Sequence, residues 1–178
     1  MRRFAVVVAV VSICAAGLGA QKPEMPKPGP EHQRLGAFVG NWTFEGEMTP
    51  GPMGPGGKLT GTDRIEWVPG NFFVQRSYQA KSPIGDMRGI EIFAYDGAKK
   101  VHTFNSFDSM GMVGSGTMTV KGNTWTATGT STIGAATMRD RCTLAFGAGG
   151  STMMIKCEVS TDGTNWTPTF EGKSTKTK

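Results

Sequence analysis

Three ionisable residues of this 178-residue chain, Arg76, Glu91 and His102, fall at spacings that can bring them together among aromatic side chains. The runs 71–80 and 87–95 flank Pro83-Ile84. A hairpin centred on that dipeptide sets Arg76 opposite Glu91, Val74 opposite Phe93 and Phe72 opposite Tyr95. A four-residue loop over 96–99 then sets Phe93 opposite His102 and Glu91 opposite Phe104. The expected face carries Arg76, Tyr78, Glu91, Phe93, His102 and Phe104. A few polar groups converging on an aromatic wall is the chemistry of a small-molecule site. Glu91 would hold Arg76, and His102 would be a donor or acceptor whose charge can change between about pH 5 and 8. Two placements are open. Facing inward, the cluster is a binding site whose ion pair offsets the cost of burial. Facing solvent, it is an exposed pair of little energetic weight.

Other chemistries lack their residues. The chain has no Cys-x-x-Cys pair, no Gly-x-Ser-x-Gly elbow and no phosphate-cradling glycine loop. His32 and His102 are the only histidines, too few for a multi-histidine zinc site. His32 lies among polar neighbours and is expected at the surface. No catalytic residue, metal site or cofactor is assigned. The eleven methionines, Met110, Met112, Met138, Met153 and Met154 among them, read as adaptable core filler.

The elements that must position the cluster are strands. Thr- and aromatic-rich segments recur at about 41–48, 59–68, 71–80, 87–95, 100–108, 112–120, 124–132, 135–146, 152–160 and 165–173. Pro69-Gly70-Asn71, Asp96-Gly97, Lys121-Gly122-Asn123, Gly149-Gly150 and Asp162-Gly163 punctuate them, and Thr49 to Lys58 forms a longer Gly/Pro loop. Turns this short make successive strands antiparallel neighbours. The fold class expected is all-β, a single up-and-down barrel of about ten strands. Leu35, Phe38 and Val39 at helical spacing add one short helix ahead of it. A Gly/Asn turn precedes Trp42, Trp125 and Trp166 in turn, which predicts large rings plugging the barrel ends.

Residues 1–20 carry Arg2-Arg3, an apolar run from Phe4 to Ile13 and then small residues, the layout of a secretory signal peptide cleaved near Ala20. That run is shorter than the roughly 20 apolar residues a membrane span needs. Cys14 raises a lipid-anchor alternative, against which stands Ile13 where a small residue is usual. The expected location is therefore periplasmic or secreted. The Pro-rich segment 21–31 reads as a linker, and 32–175 as one barrel domain. Cleavage lowers Lys plus Arg from 19 to 17 against 14 acids, so net +5 becomes +3. The basic residues are scattered, which argues against a nucleic-acid partner. Oligomeric state has no signature here.

Cys142 and Cys157 are equidistant from Gly149-Gly150, so a hairpin turn there sets them directly opposite. Opposed strand residues lie within reach of a disulfide, which an exported protein can keep. The alternative is two small buried residues on one face.

The helix followed by Gly40-Asn41-Trp42 resembles the Gly-x-Trp opening of lipocalins and the wider calycin group. Pro26 to Glu31, Leu35 to Trp42, Pro50 to Lys58, Thr62 to Trp67, Ala94-Tyr95-Asp96 and Ser160 to Gly163 together resemble the bacterial family called domain of unknown function 1579. The resemblance implies an exported, lipocalin-like barrel without an established biochemical role. In lipocalins an arginine near the last strand stacks on the first tryptophan, and Lys173 stands near that place here. Three functions follow. The leading one is a barrel holding a small apolar or amphipathic molecule. The second is a structural or interaction domain of the cell envelope with a filled core. The third is a haem-dependent calycin enzyme with His102 as axial ligand. Four Trp and ten Phe argue for filling, and the many Gly and Thr argue for room.

Overall fold

A computed structural model describes residues 25–51 and 54–177. The expected signal peptide over 1–20, with Cys14, lies outside the described residues, as does the start of the linker. Ten strands follow one short helix, α1, over Pro30–Arg34: β1 Gly40–Met48, β2 Gly57–Trp67, β3 Phe73–Ser82, β4 Gly85–Asp96, β5 Val101–Asp108, β6 Val113–Lys121, β7 Thr124–Ile133, β8 Ala136–Phe146, β9 Thr152–Ser160 and β10 Thr167–Thr177. Each strand pairs antiparallel with its sequence neighbours, and β1 pairs with β10 to close the barrel. Closure leaves no free sheet edge. The described elements run from Pro30 to Thr177.

Alternation decides which side chains enter. On β1, Trp42 and Phe44 are buried while Asn41, Thr43 and Glu45 are exposed. The same phase on β8 turns Met138, Asp140, Cys142, Leu144 and Phe146 inward, and leaves Thr137 and Arg139 exposed outside.

One end of the barrel is closed by the segment that precedes it. Pro30 opens α1 at a position where a missing N–H costs nothing, and a 3-10 turn over Leu35–Ala37 then drops Leu35 and Phe38 into the barrel mouth. Both are almost wholly buried, as is Trp42, whose Nε1 donates to the Phe38 carbonyl over 2.8 Å. The Phe38 ring packs 5.0–5.3 Å from Phe93, Trp125 and Phe146. Trp42 and Trp125 therefore plug this floor as expected, but Trp166 does not plug an end. It lies half-buried with the Arg141 guanidinium 4.3 Å from its ring. The cation over Trp42 is Lys176, 4.8 Å from the ring, and not Lys173, which is exposed on the outer face opposite Met154.

The disulfide forms. Cys142 opposes Cys157 with Cα atoms 4.1 Å apart. The turn between them is wider than a two-residue one, because Gly147 already pairs with Thr152 and Ala148–Gly150 forms a tight turn kinked at the left-handed Gly149. The extension is symmetric, so the pairing of the cysteines is unchanged.

Candidate functional site

The hairpin of β3 and β4 turns at Pro83-Ile84, and Arg76 stands directly opposite Glu91. The following hairpin differs from expectation by two residues. Tyr95 opposes His102 and Phe93 opposes Phe104, so Glu91 meets Ser106. Asp96 draws the turn forward by accepting from the amides of Ala98 and Lys99, and Lys100 closes it with φ of 55°. An even shift keeps every side chain on its face, so the cluster stays inward while His102 moves one pair toward the floor.

That move separates the expected residues into two places. Arg76, Tyr78, Glu91, Phe93 and Phe104 line an interior cavity of about 360 Å³. His102 is not in its wall. It is buried in the floor, with its ring 4.9 Å from Trp125 and Nε2 2.9 Å from the Glu31 carbonyl oxygen. The axial-ligand role assigned to His102 thus has no Nε2 to offer the lumen, and no histidine lines the cavity. His32 is half-buried rather than exposed, edge-on to Phe72 and Tyr95.

Arg76 holds two carboxylates, not one. Its Nε and Nη2 reach Asp63 Oδ1 at 2.8 and 2.7 Å, and Nη1 donates to Glu91 Oε2 at 2.8 Å. Its guanidinium carbon lies 4.6 Å from the Tyr78 ring centroid. The rigid planar fork suits this double engagement in a way a lysine ammonium would not. Burial alone would lower the Arg76 pKa, but Glu91 and Asp63 outweigh it and hold the group well above its ordinary value. Burial pushes the Asp63 carboxyl up, against the opposing pull of Arg76. Burial, with Asp108 and Glu91 nearby, pushes the Tyr78 hydroxyl up to about 12, so it stays a neutral donor at any working pH.

Across the lumen, β8 presents Asp140. Its Oδ1 is shielded from solvent and meets no hydrogen-bond donor. Burial raises its pKa, Ser131 opposes the shift, and Glu91 adds to it. Asp63, Asp140 and Ser131 were absent from the sequence-based cluster, although a signal exists for both acids. Asp63 falls in phase with Leu59, Ile65 and Trp67, and Asp140 in phase with Met138, Cys142, Leu144 and Phe146. An acid on the apolar phase of a strand is inward by construction.

The question of filling against room is resolved by ring placement. Inward glycines sit under aromatic rings: Gly61 under Phe44, Gly89 under Tyr78, Gly116 and Gly129 under Phe104, Gly46 and Gly172 under Phe170. A Cβ at any of these would collide with the ring. Each ring therefore lies on the wall instead of crossing the lumen, and space remains despite the aromatic content. Met48, Met87, Met112, Met118 and Met153 line the rest with adaptable side chains, whereas Met110 and Met154 are exposed and fill no core. The Cys142–Cys157 bridge forms part of the same wall.

A wider depression of about 620 Å³ crosses the outer face of β10 and β1 to β4, beside Glu45, Lys81, Asp86, Arg88 and Lys173. Its charges are mixed, and we do not place the site there. Among the described residues no group of three His, Cys, Asp or Glu side chains could hold a metal ion, and no helix is long and apolar enough to cross a membrane.

No curated protein matches the chain. The crystal structure of Rv2717c from M. tuberculosis is similar over 84% of this chain and 99% of that one, at TM-score 0.59 and 14% identity. A de novo designed fluorescence-activating β-barrel aligns with 82% of this chain and 98% of its own at TM-score 0.45 and 13% identity. At such identity the likeness to Rv2717c extends to the barrel fold alone. Residues 27–176 match the family described as a protein of unknown function, DUF1579, and the chain belongs to that family.

Proposed function

We propose that this chain is an exported binding protein that holds a small apolar or amphipathic molecule inside its barrel. The observation that carries the reading is the lumen itself. A cavity of about 360 Å³ lies within the size range of small-ligand sites, and its mostly apolar wall carries a compact polar centre at Arg76, Asp63 and Glu91. The floor closes one end, so a ligand would enter from the opposite end, where β1 ends at Met48 and β2 begins at Gly57. Pre-arranged glycine–ring pairs keep the space open without a ligand to prop it.

Export is supported by the leader-like residues 1–20 and by a disulfide suited to an oxidising compartment. No observation favours the filled-core reading over this one.

Native mass spectrometry of the protein purified from its host tests the binding reading. The expected result is a retained small-molecule adduct that is lost on denaturation. A bare mass, together with no displacement of an apolar fluorescent probe from the lumen, overturns it. N-terminal sequencing of the exported fraction tests the leader, with Gln21 as the expected first residue.

A further inference from the structure

The lumen holds more acid than base. Asp63, Glu91, Asp140 and Glu158 line it, Glu158 already engaged by Arg141 at 2.7 Å, and Arg76 is the only cation among the residues of its wall. Arg76 is already committed, because Nε, Nη1 and Nη2 all engage Asp63 or Glu91. Asp140 stands apart on β8, its carboxyl reached by the Ser131 hydroxyl but its shielded Oδ1 without a donor. A carboxylate oxygen in that position lacks one thing, a hydrogen-bond donor, and a charged donor would also offset the surplus negative charge. Ser131 beside it can accept a second N–H from the same head group. The surrounding wall offers Leu144, Ile155, Val159 and Met112 to an apolar tail.

From this imbalance we infer that the lumen takes an amphipathic amine, with its protonated head on Asp140 and its apolar tail along the methionine- and aromatic-lined wall. The inference rests on the binding reading above and narrows its ligand class. A fatty carboxylate is disfavoured by the same charges: the one guanidinium that could receive it is already paired with two acids, and a third carboxylate sits across the lumen. The raised pKa of Asp140 is consistent with a carboxyl that awaits a cation.

Three probes of equal chain length separate the outcomes: decylamine, decanol and decanoate, titrated by calorimetry at pH 7 against the folded protein and against Asp140→Asn. Decylamine is expected to bind about tenfold tighter than decanol, and decanoate weakest of the three. Asp140→Asn is expected to bring the amine within a few-fold of the alcohol. The probe series on the unsubstituted protein needs no variant, so a folding defect in Asp140→Asn would not hide the answer. Decanoate binding as tightly as decylamine, or an amine preference that survives Asp140→Asn, overturns the inference while leaving the binding reading intact. Binding of none of the three overturns both.

Discussion

The floor of the barrel and its lumen are made by the same strands, one or two residues apart, yet they are packed to different ends. In the floor, Leu35, Phe38, Trp42, Trp125 and Phe146 interlock, and Trp42 Nε1 is engaged by the Phe38 carbonyl and His102 Nε2 by the Glu31 carbonyl. Among the described residues, the small Ser174 hydroxyl opposite Met153 is the one floor side chain left without a partner. One layer above, glycines replace the large side chains that would complete the packing, and rings fold onto those glycines. There a carboxylate oxygen is left without a donor. Dense packing with satisfied polar groups is how a protein gains stability. Open volume with unspent hydrogen-bonding capacity is how it retains a capacity to bind. The division of labour between the two layers can be broken from either side.

The largest expected effect is in the floor. Trp42→Ala should cost about 5 kcal/mol, the upper end for truncating a buried tryptophan, because it also strips the Phe38 carbonyl of its donor. Denaturant unfolding monitored by circular dichroism checks it. A loss under about 1 kcal/mol would mean that the floor is not the stabilising layer. Next comes the polar centre of the lumen. Arg76→Met leaves Asp63 and Glu91 buried without a cation and should cost about 4 kcal/mol at pH 7. The deficit should narrow as pH falls and Asp63, whose carboxyl burial already pushes up, protonates, a trend the floor variant will not share. A near-zero change at pH 7 would show the lumen to be wet and the pair effectively exposed. Third is the bridge in the lumen wall. Removing it with a Cys142→Ala, Cys157→Ala double substitution opens a loop with a sequence separation of 15 and should cost about 3 kcal/mol, read as a drop in denaturant midpoint under non-reducing conditions.

How much of this was legible follows the range of the interactions. Turn residues set the local pairings, so Arg76 opposite Glu91 and Cys142 opposite Cys157 could be read from spacing alone. The β4–β5 turn was misplaced by two residues because the Asp96 side-chain bonds and a left-handed Lys100 do not announce themselves in composition. The face survived that error because the slip was even. The fate of His102 was not legible, since its partner Glu31 lies 71 positions away on a helix whose docking depends on the closed barrel. Likewise Lys176 over Trp42 follows from the β1–β10 closure register, which joins the two ends of the sheet. Asp63 and Asp140 were within reach. Strict attention to strand phase, rather than to clusters of aromatic neighbours, would have turned both inward.

Asp140 provides the finest test of the comparison, and its sign is opposite to the others. Its folded-state pKa is raised, mainly by burial. Ionisation therefore costs more in the folded chain than in the unfolded one, and the carboxylate destabilises the barrel at pH values above its raised pKa. As pH falls through that value and then through the ordinary carboxyl range near 4, the penalty disappears. Asp140→Asn removes the ionisation while keeping the shape, so the variant should be more stable than the unsubstituted protein at pH 7, by under about 1 kcal/mol for a partly solvated group. At pH 3 the two should unfold at the same midpoint. Paired denaturant titrations at the two pH values measure the difference directly. A gain at pH 7 that vanishes in acid identifies Asp140 as a residue kept at a cost in stability, the pattern expected of a group retained for a ligand. A loss at pH 7 would mean that Asp140 is satisfied in the folded chain, and the lumen would then differ from the floor in volume alone.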